Sequence, residues 1–250
     1  MCTVSWLSRP PSRGGYDVFF NRDEQPSRSA RGPQCSTAGG VAYLAPRDVE
    51  AGGTWIAVNA FGVTVSMTNQ YPQPAPAPPA DPVSRGLLLA SLVDAASLAD
   101  VAQRVGRLRL EGYRPFAIAA FEPGGPPMSL RWDGSALTTE RHPEPGLVIT
   151  SSGAIPPRLE ETRRAVFAEA TERNGMTAAT LAGVHRSHRP ERGPLSVCMH
   201  RPEAATVSYC HITVDQAPGD IVFRYAPGPP CTTPAEAPLS LARVDRLAPT

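Results

Sequence analysis

Short β-rich runs recur in pairs along this chain, and only two helical blocks interrupt them. Residues 3–7 and 16–20 flank the turn-forming stretch 9–15, which predicts a hairpin. Residues 53–59 and 63–69 repeat the pattern around the short turn Ala60-Phe61-Gly62. Residues 116–121, 128–132, 136–141 and 147–150 predict an antiparallel meander, and 195–200, 206–214 and 220–225 predict three late strands. One helical block covers 84–107, with Leu87, Leu88, Leu92, Val93, Leu98, Val101 and Val105 on its core face and a break near Ala96-Ser97. The other covers 158–173 and 176–185. The polar stretch 25–52, with Pro, Gly and Ser throughout, reads as mostly loop. Strands grouped in hairpins predict an α+β layered fold with antiparallel sheets, not a βαβ fold. No repeat or clear linker divides the chain. One domain over 1–250 is expected, with a Pro-rich, weakly helical and loosely packed tail at about 226–250.

Charge and composition remove several function classes. The formal net charge is +1, which gives no electrostatic case for nucleic acid or an anionic membrane. No apolar run approaches the roughly 20 residues of a membrane helix. No secretory signal is recognised, so a cytoplasmic location is expected. The cysteines, Cys2, Cys35, Cys198, Cys210 and Cys231, are odd in number and scattered, unlike a disulfide framework. All 24 basic residues are Arg. Without Lys there is no P-loop lysine, no pyridoxal Schiff base and no protein-kinase ATP lysine.

Cys2 is the candidate nucleophile. The residue after Met1 is small, so an aminopeptidase is expected to remove Met1 and leave Cys2 with a thiol and a free α-amine. Reference pKa values are about 8.5 for a thiol and about 7.7–8.0 for an α-amine, close enough for one group to serve as base for the other. The 3–7/16–20 hairpin returns the chain near Cys2 at Asn21-Arg22-Asp23-Glu24. Polar residues there are either a solvated loop or a cluster beside the nucleophile, where an Arg lowers a thiol pKa and a carboxylate or amide orients the amine. Asn69 closes a strand. An Asn there is either a turn former or an oxyanion donor.

Met1-Cys2-Thr3, Asn21-Arg22-Asp23-Glu24 and Gly53-Thr54-Trp55, with Asn59-x-x-Gly62 and Thr68-Asn69, together resemble the NRDE family, also called the Transport and Golgi Organisation 2 family. The resemblance runs to about residue 70 and returns at 196–200 and 206–215. The family is similar to N-terminal nucleophile hydrolases of the choloylglycine hydrolase and penicillin acyltransferase type. That similarity implies a four-layer αββα sandwich and amide chemistry at an N-terminal Cys. It also implies site residues Cys2, Asn69 and the 21–24 segment, in one of two registers. Ungapped, Asn21 and Glu24 take the places of the hydrolases' Arg and Asp; shifted, Arg22 and Asp23 do. Two positions depart from the hydrolases. Ser151 and Val207 stand near where they carry an Asn and an Arg.

Two functions follow. The first is a cysteine amidohydrolase or acyltransferase acting on a small acyl-amide or acyl-thioester, with no cofactor. The second is a non-catalytic carrier or chaperone of haem or an acyl lipid, with Cys198, Met199, His200 and His211 as candidate axial ligands. The bland alternative makes Cys198 and Met199 strand core. A zinc site from Cys198, His200, Cys210 and His211 is weaker, because the spacing lacks a C-x-x-C element. No metal site is therefore expected. His185 and His188 are expected on a solvated helix end.

Overall fold

The computed structural model describes residues 2–9, 14–142, 148–150 (backbone only), 158–215 and 219–244. Two antiparallel sheets stack face to face. The first contains β1 (Cys2–Ser8), β2 (Tyr16–Glu24), β10 (Val148–Thr150), β11 (Ala205–Val214), β12 (Asp220–Ala226) and β13 (Leu239–Ala242). Its order is β10-β1-β2-β11-β12-β13. The second contains β3 (Ala30–Ala38), β4 (Val41–Asp48), β5 (Ile56–Asn59), β6 (Thr64–Asn69), β7 (Phe116–Phe121), β8 (Met128–Trp132) and β9 (Leu137–Arg141), in chain order. Helices α1 (Arg85–Ala90) and α2 (Leu98–Gly106) cover the second sheet, and α3 (Arg158–Asn174) and α4 (Ala178–Arg186) cover the first. The result is an αββα sandwich. No helix among the described residues is long and apolar enough to cross a membrane.

Strand alternation builds the three cores. Cys2, Val4 and Trp6 of β1 and Tyr16, Val18 and Phe20 of β2 face the inter-sheet core, opposite Ile56, Val58 and Phe121. The other face of β7, with Phe116 and Ile118, packs in one cluster with Leu88, Leu89, Leu98 and Val101 of the helices. Phe19 of β2 meets Phe167, Leu181 and Val184 of α3 and α4. The break in the first helical block falls where expected: Ser97 caps α2 by accepting from the Asp100 N–H.

Four expectations need correction. Residues 30–38 and 41–48 are not loop but a hairpin, turned by Gly39 and Gly40 at φ 54° and 79°. Two successive positive-φ residues suit the two-residue hairpin turn, so Gly-Gly was the available signal. Alternation was silent because β3 is an edge strand, mostly exposed, with a register shift between Arg31 and Gln34 that absorbs Gly32 and Pro33. β10 leaves the expected meander and pairs with β1 in the other sheet. Residues 195–199 form no strand; His200 makes a single bridge to Ala205. The tail is not weakly helical over 239–242, where β13 pairs with β12 and buries Leu241.

His185 is also misjudged by sequence: it is buried rather than solvated. α4 docks its C-terminal turn on β1 and β2, where His185 Nε2 lies 2.8 Å from Ser5 Oγ and Nδ1 lies 3.0 Å from Asn21 Oδ1. Burial, with Arg163 and His211 nearby, holds its pKa down to about 3. An unfolded His titrates near about 6.5. Between those values the unfolded chain binds a proton that the folded chain refuses. This group's contribution is therefore complete above about pH 6.5 and declines as pH falls toward about 3, at up to about 1.4 kcal/mol per unit. Denaturant unfolding at pH 7 and pH 5 should show the decline, with a flatter profile in His185→Gln. An unchanged slope in that variant would assign the decline to other groups.

Candidate active site

The N-terminal end of β1 and the C-terminal ends of β2 and β6 meet at one rim of the sandwich. A cleft of about 410 Å³ opens there. Its lining includes Cys2, Arg22, Asp23, Glu24, Trp55 and Asn69, together with residues 82–86 and Arg114.

Within the ladder Cys2 stands opposite Arg22, and Thr3 opposite Asn21. Paired residues share a face, so the period of two divides the four polar residues at the end of β2. Arg22 and Glu24 face the cleft. Arg22 lies over the Trp55 ring at 4.3 Å and donates from Nη2 to Asp48 at 2.9 Å. Its Nη1 is buried with no hydrogen-bond partner among the described residues. Arg28 also donates to Asp48, at 2.7 Å. Burial alone would raise the Asp48 pKa, but the Ala51 N–H and the guanidinium groups of Arg28 and Arg22 together hold it below the usual range. Glu24 is further off, 3.9 Å from Arg22 and 3.8 Å from Arg28.

Asn21 and Asp23 turn the other way. Asn21 donates to the carbonyls of His185 and Val197 at 2.9 and 3.0 Å. It is thereby a buried tie between β2, α4 and the 195–199 segment, not a group held out to the cleft. Asp23 is buried against Arg163, whose two Nη atoms each lie 3.3 Å from Oδ2, and it accepts from Thr206 at 2.7 Å. Burial raises the Asp23 pKa; Arg163, the amino-terminal charge and Thr206 oppose it. The Asp23 backbone also reaches Cys2, where its hydrogen bond lowers the thiol pKa.

Burial is the largest influence on Cys2 and pushes its thiol pKa up. The amino-terminal charge, the Asp23 backbone and Arg22 pull it down, and the Asp23 carboxylate pushes it up. The net direction is upward. The group is therefore a thiol at neutral pH, and its attack on a carbonyl needs a base. Asn69, the last residue of β6, is half-buried at the cleft. Its side-chain amide makes no hydrogen bond among the described residues.

Of the two departures, Ser151 lies outside the described residues. Val207 is the extra residue of a bulge in β11: Thr206 pairs with Asp23 and Ser208 with Arg22. The cation beside Asp23 comes instead from α3. Sequence reasoning missed Arg163, although Leu159, Arg163 and Phe167 recur at i, i+4 and i+8 along the buried face of that helix. A charge on an apolar stripe was the signal. Arg28, Asp48, Arg85 and Arg114 were missed as well. They come from loops, a strand end and the start of α1, far apart in sequence, and no local pattern marks them.

Of the proposed haem and zinc ligands, Cys198 and His200 lie together, 3.6 Å apart, but Met199, Cys210 and His211 do not join them. Met199 is buried. Cys210 belongs to the inter-sheet core. His211 lies on the opposite face of the same strand, 2.9 Å from Asp17 and stacked on Phe19 at 4.2 Å.

A family model described as Transport and Golgi organisation 2 matches residues 1–182. The chain belongs to that family. Among solved structures, it is similar to the Caenorhabditis elegans ortholog of N-acylethanolamine-hydrolyzing acid amidase, with a TM-score of 0.59 and 12% identity, over 84% of this chain and 92% of that one. It is similar too to the C2A mutant of conjugated bile acid hydrolase from Clostridium perfringens, with a TM-score of 0.58 and 11% identity, over 100% and 99% of the two chains. At such identities the likeness is one of fold, that of the N-terminal nucleophile hydrolases. A search of curated protein sequences finds no match.

Both side chains of the Asp23–Arg163 pair are fully buried. Removing one partner of such a pair strands a charge, so Arg163→Met should cost about 3–5 kcal/mol in urea unfolding. A loss under about 1 kcal/mol, the size typical of an exposed pair, would show that the pair holds no buried charge.

Proposed function

We propose that this protein is an N-terminal cysteine hydrolase or acyltransferase acting on a small acyl-amide or acyl-thioester. The observation that carries it is the shared cleft: the Cys2 thiol, with Arg22 opposite it, faces the same space as Asn69. The hydrolase fold supports the reading, as does the C2A mutant among the neighbours, which implies a cysteine at position 2 of that enzyme. A volume of about 410 Å³ suits a small substrate.

In this reading Met1 is removed and the freed α-amine of Cys2 takes the thiol proton. Sulfur attacks the substrate carbonyl, and the oxyanion accepts from the Asn69 amide and a backbone N–H. The ammonium then protonates the departing amine or thiol. Water or an acceptor amine attacks the thioester left on Cys2, returning the enzyme and releasing acid or a new amide. The raised thiol pKa supports an amine-assisted route over a standing thiolate. Asp23, buried one residue beyond Arg22, is the carboxylate assigned in this reading to orient that amine once Met1 is removed. Arg85 and Arg114 also line the cleft and have no ion pair with a carboxylate among the described residues, which favours a substrate bearing an anionic group.

Three preparations test the mechanism: the native chain, Cys2→Ala, and a chain with an uncleavable N-terminal extension. Intact mass should show the native chain without Met1, and an acylating probe should label that form alone. Labelling of Cys2→Ala at the same level would remove the mechanism and favour a carrier. Asn69→Ala should lower kcat by about 10²–10³ while alkylation of Cys2 persists. Unchanged turnover would take Asn69 out of the reaction.

A further inference from the structure

On the α3–α4 side of the first sheet, remote in chain from the cleft residues, four side chains with metal-binding atoms converge. They are His188 from the loop after α4, Cys198 and His200 from the segment before β11, and Cys231 from the loop between β12 and β13. One ligand atom from each lies within 4.8 Å of the other three. The His188 and His200 Nε2 atoms are 3.2 Å apart. Cys198 Sγ is 3.6 Å and Cys231 Sγ 3.4 Å from His200 Nε2.

These separations match a tetrahedral ion. Zinc binds thiolate at about 2.3 Å and imidazole at about 2.0–2.1 Å. At tetrahedral angles those bonds place two nitrogens about 3.3–3.4 Å apart and a sulfur and a nitrogen about 3.5–3.6 Å apart. Hydrogen bonding explains the cluster less well. Three heavy atoms crowd one nitrogen, His200 Nε2, which has a single proton or lone pair to offer. A disulfide would engage only the two cysteines and leave both imidazoles turned inward without a purpose.

We infer that His188, Cys198, His200 and Cys231 form a structural zinc site. Four protein ligands close the coordination sphere, as in structural rather than catalytic sites. Two thiolates with two imidazoles suit zinc better than calcium or magnesium, which take oxygen ligands. Binding displaces both thiol protons to solvent, and the two thiolates neutralise the ion. His200 would carry its remaining proton on Nδ1, so the Arg192 guanidinium, 3.5 Å from that atom, turns away on binding.

The ion would join three segments that share little regular structure. The 195–199 segment between its ligands has backbone bonds but no ladder: Cys198 N–H donates to Ser187 at 3.0 Å, and Met199 exchanges bonds with Thr206. This segment also holds Asn21 through the Val197 carbonyl, and Thr206 in turn donates to Asp23. Zinc would thus brace the back of β2 behind the cleft. This inference does not rest on the catalytic proposal.

The test is metal content and spectroscopy on the full chain, which reads the site without assaying turnover. Protein purified under reducing conditions with zinc in the medium should carry one equivalent by elemental analysis and keep it through dialysis. Chelation should lower Tm, and added zinc should restore it. Cobalt(II) in its place should give a thiolate-to-cobalt charge-transfer band and intense tetrahedral ligand-field bands. Cys231→Ser and His188→Gln should each reduce bound metal at least tenfold, the second providing the comparison if the first folds poorly. Absence of stoichiometric metal after reconstitution, a cobalt spectrum without a thiolate band, or unchanged binding in both variants would overturn the site. So would a Cys198–Cys231 disulfide in the reduced preparation.

Discussion

β2 lies inside its sheet with β1 on one side and β11 on the other, so its side chains have only two places to go. One face meets the second sheet and the cleft, the other meets α3 and α4. A strand's period of two therefore sends Arg22 toward the Cys2 side and Asn21 and Asp23 toward the helices. A slip of one residue would exchange them, turning a guanidinium toward the side of Phe167, Leu181 and Val184 and Asn21 toward the cleft. Register is thus enforced from both faces. The polar quartet is one continuous strand end that serves two layers.

The second face succeeds because every polar group it buries meets a partner from another element. Thr3 and Asp23 meet Arg163, Ser5 and Asn21 meet His185, and Asp23 also meets Thr206. Left unpaired, each would cost the full desolvation penalty of its group. The arrangement ties α3, α4 and β11 to the strand ends that position Cys2. The first face is less complete. Arg22 has an Nη1 with no hydrogen-bond partner among the described residues, and the cleft lining adds Arg85 and Arg114. An incomplete set of partners at a concave rim supports ligand binding there, whereas the completed set on the other face supports packing.

The legible part of the fold follows local chemistry. Hairpins with β-branched alternation, the Ser97 cap and the apolar faces of α1 and α2 are all encoded within a few residues of one another. The β3–β4 hairpin was hidden because an edge strand exposed on both faces has no reason to alternate. β13 was hidden because a four-residue strand with buried Leu241 needs β12 beside it before it is a strand at all. The 195–199 segment is apolar for the opposite reason to the one its composition suggests: it is buried by α4 and β11 without joining a ladder. Of the site, Cys2, Arg22 and Asn69 could be marked in the sequence, since strand ends and a short motif identify them.

The sequence by itself determined the antiparallel layered architecture, the position of Cys2 at the start of the first strand and the return of the polar quartet beside it. Hairpin geometry is local, so the pairing of residues 2 and 22 follows from the chain between them. Tertiary structure decided what each face of the quartet meets, the cleft on one side and α3 and α4 on the other. It also brought Arg163 to Asp23, assembled the cleft from residues as distant as Cys2 and Arg114, and gathered His188, Cys198, His200 and Cys231 into one cluster. Most of those contacts join residues from separate elements, up to 140 positions apart for Asp23 and Arg163, and no spacing within a strand or helix specifies them. They exist because buried charge and buried polar atoms must find partners, and only the packed layers determine which partners are within reach.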